Sequence, residues 1–262
     1  MDRDKWIKFV KAREHFRHET QNLSLSLVQL KNLQQKLIDS RSNGGNSSYT
    51  VETPVVYNTA LDNVTVDDEI KMILVADNPG RREQAAQNRR YLAGPSGKIA
   101  HNFFRDNPAL GIDFAKNVII LNKTPIHTPR TNELRRLVSM EAQSANASHT
   151  GTEPELPVAG AIEESQRFMA DILLEFQLAL CAQVWIVGYS EMKKGGIFET
   201  FTERLKNLYA QRDDLYKLTF FYRHFSMNQF TIDLKKQSLP GETAEKALLR
   251  IGSAYRKRIL GK

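Results

Sequence analysis

Cysteine is almost missing from this chain. A single residue, Cys181, stands among 262, which excludes an internal disulfide framework and any all-cysteine metal or iron–sulfur site built within one chain. Long apolar runs are missing too. No stretch approaches the roughly 18 uninterrupted apolar residues of a membrane helix. The N-terminal Met1-Asp2-Arg3-Asp4-Lys5 leads into no apolar signal-peptide core, so a cytoplasmic protein with no membrane partner is expected. No internal repeat is present, and no evident cluster of metal ligands.

Hydrophobic content of 41% and charged content of 26% are ordinary for a globular protein. The length admits one large α/β domain with additions, or two domains. Thirty-seven Lys and Arg against 30 Asp and Glu leave a net charge of +7. That excess suggests a polyanionic partner, nucleic acid first, although solubility alone would also accommodate it.

Residues 1–40 read as two helices. Trp6, Phe9, Val10 and Phe16 recur at roughly helical spacing, and Leu23, Leu25, Leu27, Leu30, Leu33 and Leu37 follow. Ser40-Arg41-Ser42-Asn43-Gly44-Gly45-Asn46-Ser47-Ser48 has linker composition. Residues 1–48 are therefore expected to form an N-terminal helical extension packed on a main domain of residues 49–262. In that domain, short runs at 71–76, 117–122, 183–188 and 217–222 are apolar on both alternations, as suits strands covered on two faces. Helical stretches at 97–105, 131–141, 161–181, 194–208, 227–237 and 242–258 accompany them. The alternation predicts a three-layer α/β/α sandwich around a four-stranded, mostly parallel sheet. Segment 142–156, rich in Ala, Ser, Asn, Thr and Gly, reads as a surface loop.

In such sheets, ligands bind beyond the carboxyl ends of the strands. There the chain places Asp77-Asn78, Asn122, Gly188-Tyr189-Ser190, and His224 with Ser226. The first group sits in Ala76-Asp77-Asn78-Pro79-Gly80, which alone is ordinary turn chemistry. Tyr91-Leu92-Ala93-Gly94-Pro95-Ser96-Gly97-Lys98 is not a P-loop, since Leu92 stands where glycine is needed and Ile99 where Ser or Thr is. It reads either as a helix N-terminus able to hold one phosphate or as a plain helix start capped by Ser96. Asn122 offers a donor and an acceptor that suit a nucleobase edge, or it simply ends its strand. His224 can donate to a leaving group gaining negative charge, or be a structural histidine. Ser226 can meet a phosphate. Met227 and Phe230 read as an apolar wedge beside a base or as core.

In order and spacing, these three segments resemble the uracil-DNA glycosylase superfamily, over about residues 69–240. Asn78 falls where the mismatch-specific and single-strand-selective branches carry a catalytic Asn, and Asp77 where the iron–sulfur branch carries an acidic residue. Tyr91-Leu92-Ala93-Gly94-Pro95-Ser96-Gly97 is similar to that branch's Pro-Phe-Val-Gly-x-[Ala/Ser]-Gly. Leu121-Asn122 resembles the base-reading Asn, and His224-Phe225-Ser226 the closing His-Pro-Ser. Departures are Ala76 for the usual Gly, Leu92 in the slot of the base-stacking aromatic (with Tyr91 beside it), Phe225 for Pro, and the missing cluster cysteines.

The resemblance implies a cluster-free DNA glycosylase without metal or organic cofactor, which starts base-excision repair by flipping out and releasing a deaminated base, uracil first. Asp77 or Asn78 would handle the water, with the choice open, and His224 would stabilise the departing base. Asn122, Tyr91, Leu92, Ala76 and Pro79 would form the base pocket. Gly94, Ser96, Lys98, Ser226 and Met227 would contact DNA, single-stranded or mismatched. A monomer is expected. The alternatives are an inactive nucleic-acid-binding protein on this fold and a nucleotide or phosphoester hydrolase.

Overall fold

The structure, a computed structural model, describes residues 1–42, 48–147 and 156–261. Four parallel strands form its centre: β1 (Met72–Ala76), β2 (Val118–Asn122), β3 (Gln183–Val187) and β4 (Thr219–Tyr222). They lie in the order β2-β1-β3-β4. Every β1 side chain is buried, because both faces of the sheet are covered. Ile73 and Val75 join Ile119, Leu121, Val184, Ile186 and Phe221 in one core, whereas Met72, Leu74 and Ala76 join Trp185, Val187, Phe220 and Tyr222 in the other. This two-faced burial explains why the strands read as unbroken apolar runs.

Helices α1 (Arg3–Ser26), α2 (Leu30–Ser42), α4 (Glu133–Ala147), α5 (Val158–Leu180) and α6 (Glu199–Leu208) contribute to the first face or pack behind it. Helices α3 (Pro95–Asp106), α8 (Gln229–Gln237) and α9 (Ala244–Leu260) supply Phe103, Phe104, Phe230 and Leu248 to the second. A one-turn helix α7 (Asp213–Lys217) precedes β4. The architecture is the expected α/β/α sandwich, with every strand pair parallel. No described helix is long and apolar enough to cross a membrane.

Several boundaries differ from expectation, four of them for a physical reason or at the limits of the described residues. Lys217 and Leu218 end α7 rather than start β4. Residues 194–198 form a turn with Gly195 at φ 73°, so α6 starts only at Glu199. Residues 142–147 of the expected surface loop continue α4, since a polar, Ala-rich composition does not by itself break a helix; residues 148–155 lie outside the described residues. The expected linker likewise loses Ser40–Ser42 to α2, and residues 43–47 lie outside the description.

The N-terminal helices share the first core. Helix α1 starts with Asp2 accepting from the Lys5 N–H at 2.8 Å. It buries Phe9, Ala12, Phe16, Thr20 and Leu23, one stripe at three- and four-residue spacing. Phe9 meets Phe176 of α5 with ring centroids 5.3 Å apart, and both Phe9 and Phe16 are fully buried. Each contributes about 1.5–3 kcal/mol by leaving water.

Candidate active site

Parallel registration brings the strand ends together. Ala76 pairs with Asn122, and Val187 with Tyr222. The chain leaves β1 toward α3 on one face and leaves β3 toward α6 on the other, which opens a crevice above the sheet. A cavity of about 490 Å³ lies there, and Asp77, Asn78, Asn122 and His224 all line it.

The floor is held from below by a lysine. Lys123, with none of its side chain exposed, extends its ammonium to Asp77 Oδ1 at 2.5 Å and to the Val187 carbonyl at 2.6 Å, over the Phe198 ring at 4.8 Å. Burial lowers its pKa, and the Asp77 charge opposes that shift. Asp77 also takes a 3.4 Å contact from the Thr131 hydroxyl. Space for the carboxylate comes from Gly188, at φ 80°, where an added Cβ would stand 2.4 Å from Asp77 Oδ1. Two independent demands thus put glycine at the end of β3.

Asn78 is anchored through its amide nitrogen. Nδ2 donates to the Thr128 hydroxyl at 2.8 Å and approaches the Ile126 carbonyl at 3.4 Å. Thr128 in turn donates to the Arg130 carbonyl at 2.9 Å. The donor end is thereby committed, and Oδ1 is the end left to accept from a molecule in the cavity. Asn122 presents the opposite character: only 1% exposed, it lines the cavity with a buried Nδ2 that has no hydrogen-bond partner among the described residues. Leaving such a donor unmet costs about 1–3 kcal/mol, so its presence beside a cavity points to a ligand acceptor.

His224 has its tautomer set by the chain. The Ser226 N–H donates to Nδ1 at 3.0 Å, and the Ser226 hydroxyl lies 2.8 Å from the same nitrogen. A backbone N–H can only donate, so Nδ1 accepts and the neutral ring carries its proton on Nε2. Burial lowers the His224 pKa, with Asp77 opposing and Lys123 adding to the shift. The ring is thus a neutral Nε2–H donor at ordinary pH.

Of the other expected residues, Ala76, Leu92, Gly94, Ser96 and Ser226 also line the cavity. Ser96 does not cap α3: the helix begins two residues earlier than expected, at Pro95, with Gly94 as its cap. That puts Ser96 in the first turn, facing the cavity. Leu92 holds its place through a left-handed backbone, φ 53°, and its carbonyl lies so near Gly97 that an added Cβ would come within 1.6 Å.

Four expected site residues lie elsewhere. Tyr91 is buried, its hydroxyl donating to the Val56 carbonyl at 2.5 Å and its ring near Phe16, so it does not replace the aromatic at position 92. Pro79 does not line the cavity; its carbonyl accepts from His127 Nδ1 at 2.8 Å. Lys98 lies outside the cavity, on a neighbouring groove. Met227 does not line it either; it projects outward, 83% exposed, from left-handed backbone at φ 52°. Phe230 is core, stacked on Phe225 at 4.4 Å.

Two contributors were not expected. Lys123 carried no expected role, yet just beyond the Ala76–Asn122 pair its N–H donates to the Ala76 and Asp77 carbonyls, which sets its ammonium beside Asp77. Glu83 lines the cavity at 8% exposure and accepts from the N–H groups of Gly80, Leu92 and Ala93. Burial pushes its carboxyl up to about 7 although these donors pull it down. It ties the turn after β1 to the Leu92 loop, and Arg81, Arg82 and Arg130 stand at the cavity mouth. Among the described residues, no three His, Cys, Asp or Glu side chains gather where they could share a metal ion.

No protein-family model matches the chain, and no curated protein matches it in sequence.

Proposed function

We propose that this protein is a DNA glycosylase of the uracil-DNA glycosylase type, releasing a deaminated base from single-stranded or mismatched DNA as a cytoplasmic monomer. The observation that carries the reading is the unsatisfied Nδ2 of buried Asn122 beside a cavity that also holds the Nε2–H of His224. Two donors carried by residues that line one cavity suit a base that presents carbonyl oxygens. Uracil is the first candidate.

In this reaction the nucleotide leaves the helix stack and its base enters the cavity. Asn122 donates to the base edge. As the N-glycosidic bond lengthens, the base oxygen gains negative charge and the sugar gains positive charge. The neutral His224 donates to that oxygen without giving up its proton, in the manner of an oxyanion-hole donor. Asn78, with Nδ2 tied to Thr128, uses Oδ1 to orient the attacking water. Asp77 faces the sugar as a carboxylate, but its charge is matched by Lys123 at 2.5 Å. On this reading the water falls to Asn78, and Asp77 shapes the field of the floor. Ser96 and the mouth arginines Arg81, Arg82 and Arg130 meet backbone phosphates.

The test is base release from oligonucleotides carrying uracil, hypoxanthine, xanthine or a thymine mismatch, with His224→Ala, Asn78→Ala and Asn122→Ala alongside. Each variant is expected to lose activity on the substrate the wild type cleaves. No abasic product from any substrate would sink the enzyme reading. The same ion pair that quiets Asp77, together with Leu92 in place of a stacking aromatic, favours the second reading, a nucleic-acid binder without the reaction. That reading predicts salt-sensitive DNA binding indifferent to Asn78→Ala.

A further inference from the structure

A second hollow, of about 630 Å³, borders the candidate active site and shares Leu92 as a wall with it. It runs along the free edge of β2, between α3 and the segment from Asn58 to Ile70, reaching Lys116 below the start of the strand. Arg90, Lys98 and Lys116 line it and are all exposed. Among the described residues none of these three side chains makes a hydrogen bond or ion pair. The acid lining the wall is Asp68, whose Oδ2 accepts from the N–H and the hydroxyl of Thr65, at 2.7 and 3.0 Å. Aromatic surface lies among these cations. His101 and Phe114 line the same hollow with their rings edge to face, 6.2 Å apart.

One face of Phe114 is stacked on Phe104 at 5.5 Å, so His101 and the half-buried Phe114 offer limited aromatic surface among the free cations, which suits a polyanion that also has flat apolar groups, as unpaired nucleic acid does. A peptide strand adding to the sheet fits less well, because Asn58 Nδ2 already occupies the Ile120 carbonyl at 2.8 Å on that edge. We propose that this groove holds the single-stranded DNA continuing from the nucleotide in the cavity, with phosphates on Arg90, Lys98 and Lys116 and a base against Phe114. The inference goes beyond the proposed reaction, since binding here needs no bond to break.

The test is fluorescence anisotropy with labelled oligothymidylates of about 5 and about 15 nucleotides, titrated over a range of salt. It compares wild type with the triple variant Arg90→Ala/Lys98→Ala/Lys116→Ala. A charge-matched control carries Lys206→Ala/Lys246→Ala/Lys257→Ala, exposed positions on α6 and α9 beside the opposite sheet edge. Wild type is expected to prefer the longer strand. The groove variant should lose roughly tenfold or more of the longer strand's affinity and flatten its salt slope by about 2, whereas the control changes little. Equal losses in groove variant and control would overturn the proposal. So would indifference of the wild type to length, or equal competition by polyglutamate. Base release that fails on every substrate would remove the glycosylase reading and leave this result intact.

Discussion

Removing Asp77 alone from the Asp77–Lys123 pair should be much worse than removing both members. In Asp77→Asn the ammonium of Lys123 stays fully buried, facing the Val187 carbonyl and the Phe198 ring without its counter-ion. A stranded buried charge of this kind costs about 3–5 kcal/mol. In Lys123→Met the orphan is Asp77, whose side chain is 14% exposed at the cavity and keeps the Thr131 hydroxyl. Water can reach it, so a smaller loss of about 2 kcal/mol is expected. The double variant replaces both charges and should return to within about 1–2 kcal/mol of wild type.

Urea unfolding of the four proteins closes the cycle. The pH dependence adds a signature. Because the folded pKa of Lys123 lies below its ordinary 10.5, the unfolded chain binds more protons between those two values. Stability should therefore climb with pH across that window. Asp77→Asn removes the charge that holds this pKa up, so its climb should start at lower pH, and Lys123→Met should lack the component altogether. If the two single losses simply add in the double variant, the pair is not the coupled unit described.

Three further outcomes are expected. His224→Ala should slow base release by about 10²–10³; because burial holds the wild-type ring below its ordinary 6.5, single-turnover rates should stay level as pH falls through that value, and an acid limb centred there would contradict the assigned protonation. Glu83, raised from 4.5 to about 7, binds its proton more tightly in the folded state, so its contribution to stability is present below pH 4.5 and falls away toward pH 7, by about 3 kcal/mol. Glu83→Gln should erase that slope in denaturation midpoints, and an unchanged slope would assign it to other groups. Gly188→Ala combines strained φ with a Cβ 2.4 Å from Asp77 Oδ1, so it should destabilise by about 1–3 kcal/mol and disturb activity; a variant as stable and active as wild type would mean that the carboxylate is not held there.

The fold was legible because its signals are local and redundant. Met72–Ala76 and its three partners are apolar on both alternations, and the helices between them leave few topologies. The site was legible wherever a residue's place follows from its strand: Asn78, Asn122 and His224 all reach the cavity because parallel strands end on one side. What escaped depends on distant contacts. Tyr91 and Leu92 are neighbours, yet the left-handed backbone at Leu92 sends one into the core and the other to the cavity. Glu83 reads as one charge in a polar turn, and only the fold encloses it. Helix α6 was extended too far because the Gly195 turn carries enough polar and apolar residues to mimic a first helical turn.

The packing of α1 on α5 also dictates when this protein can finish folding. Phe9 waits for Phe176, and His15 for Glu175 at 2.9 Å. Helix α1 is thus completed only once α5 is made. At about 5–20 residues per second, the ribosome takes roughly 8–30 seconds to span that gap. Phe16 finds Tyr57 and Tyr91 earlier, whereas the Phe9 end of the stripe has its partner beyond α1 only in α5.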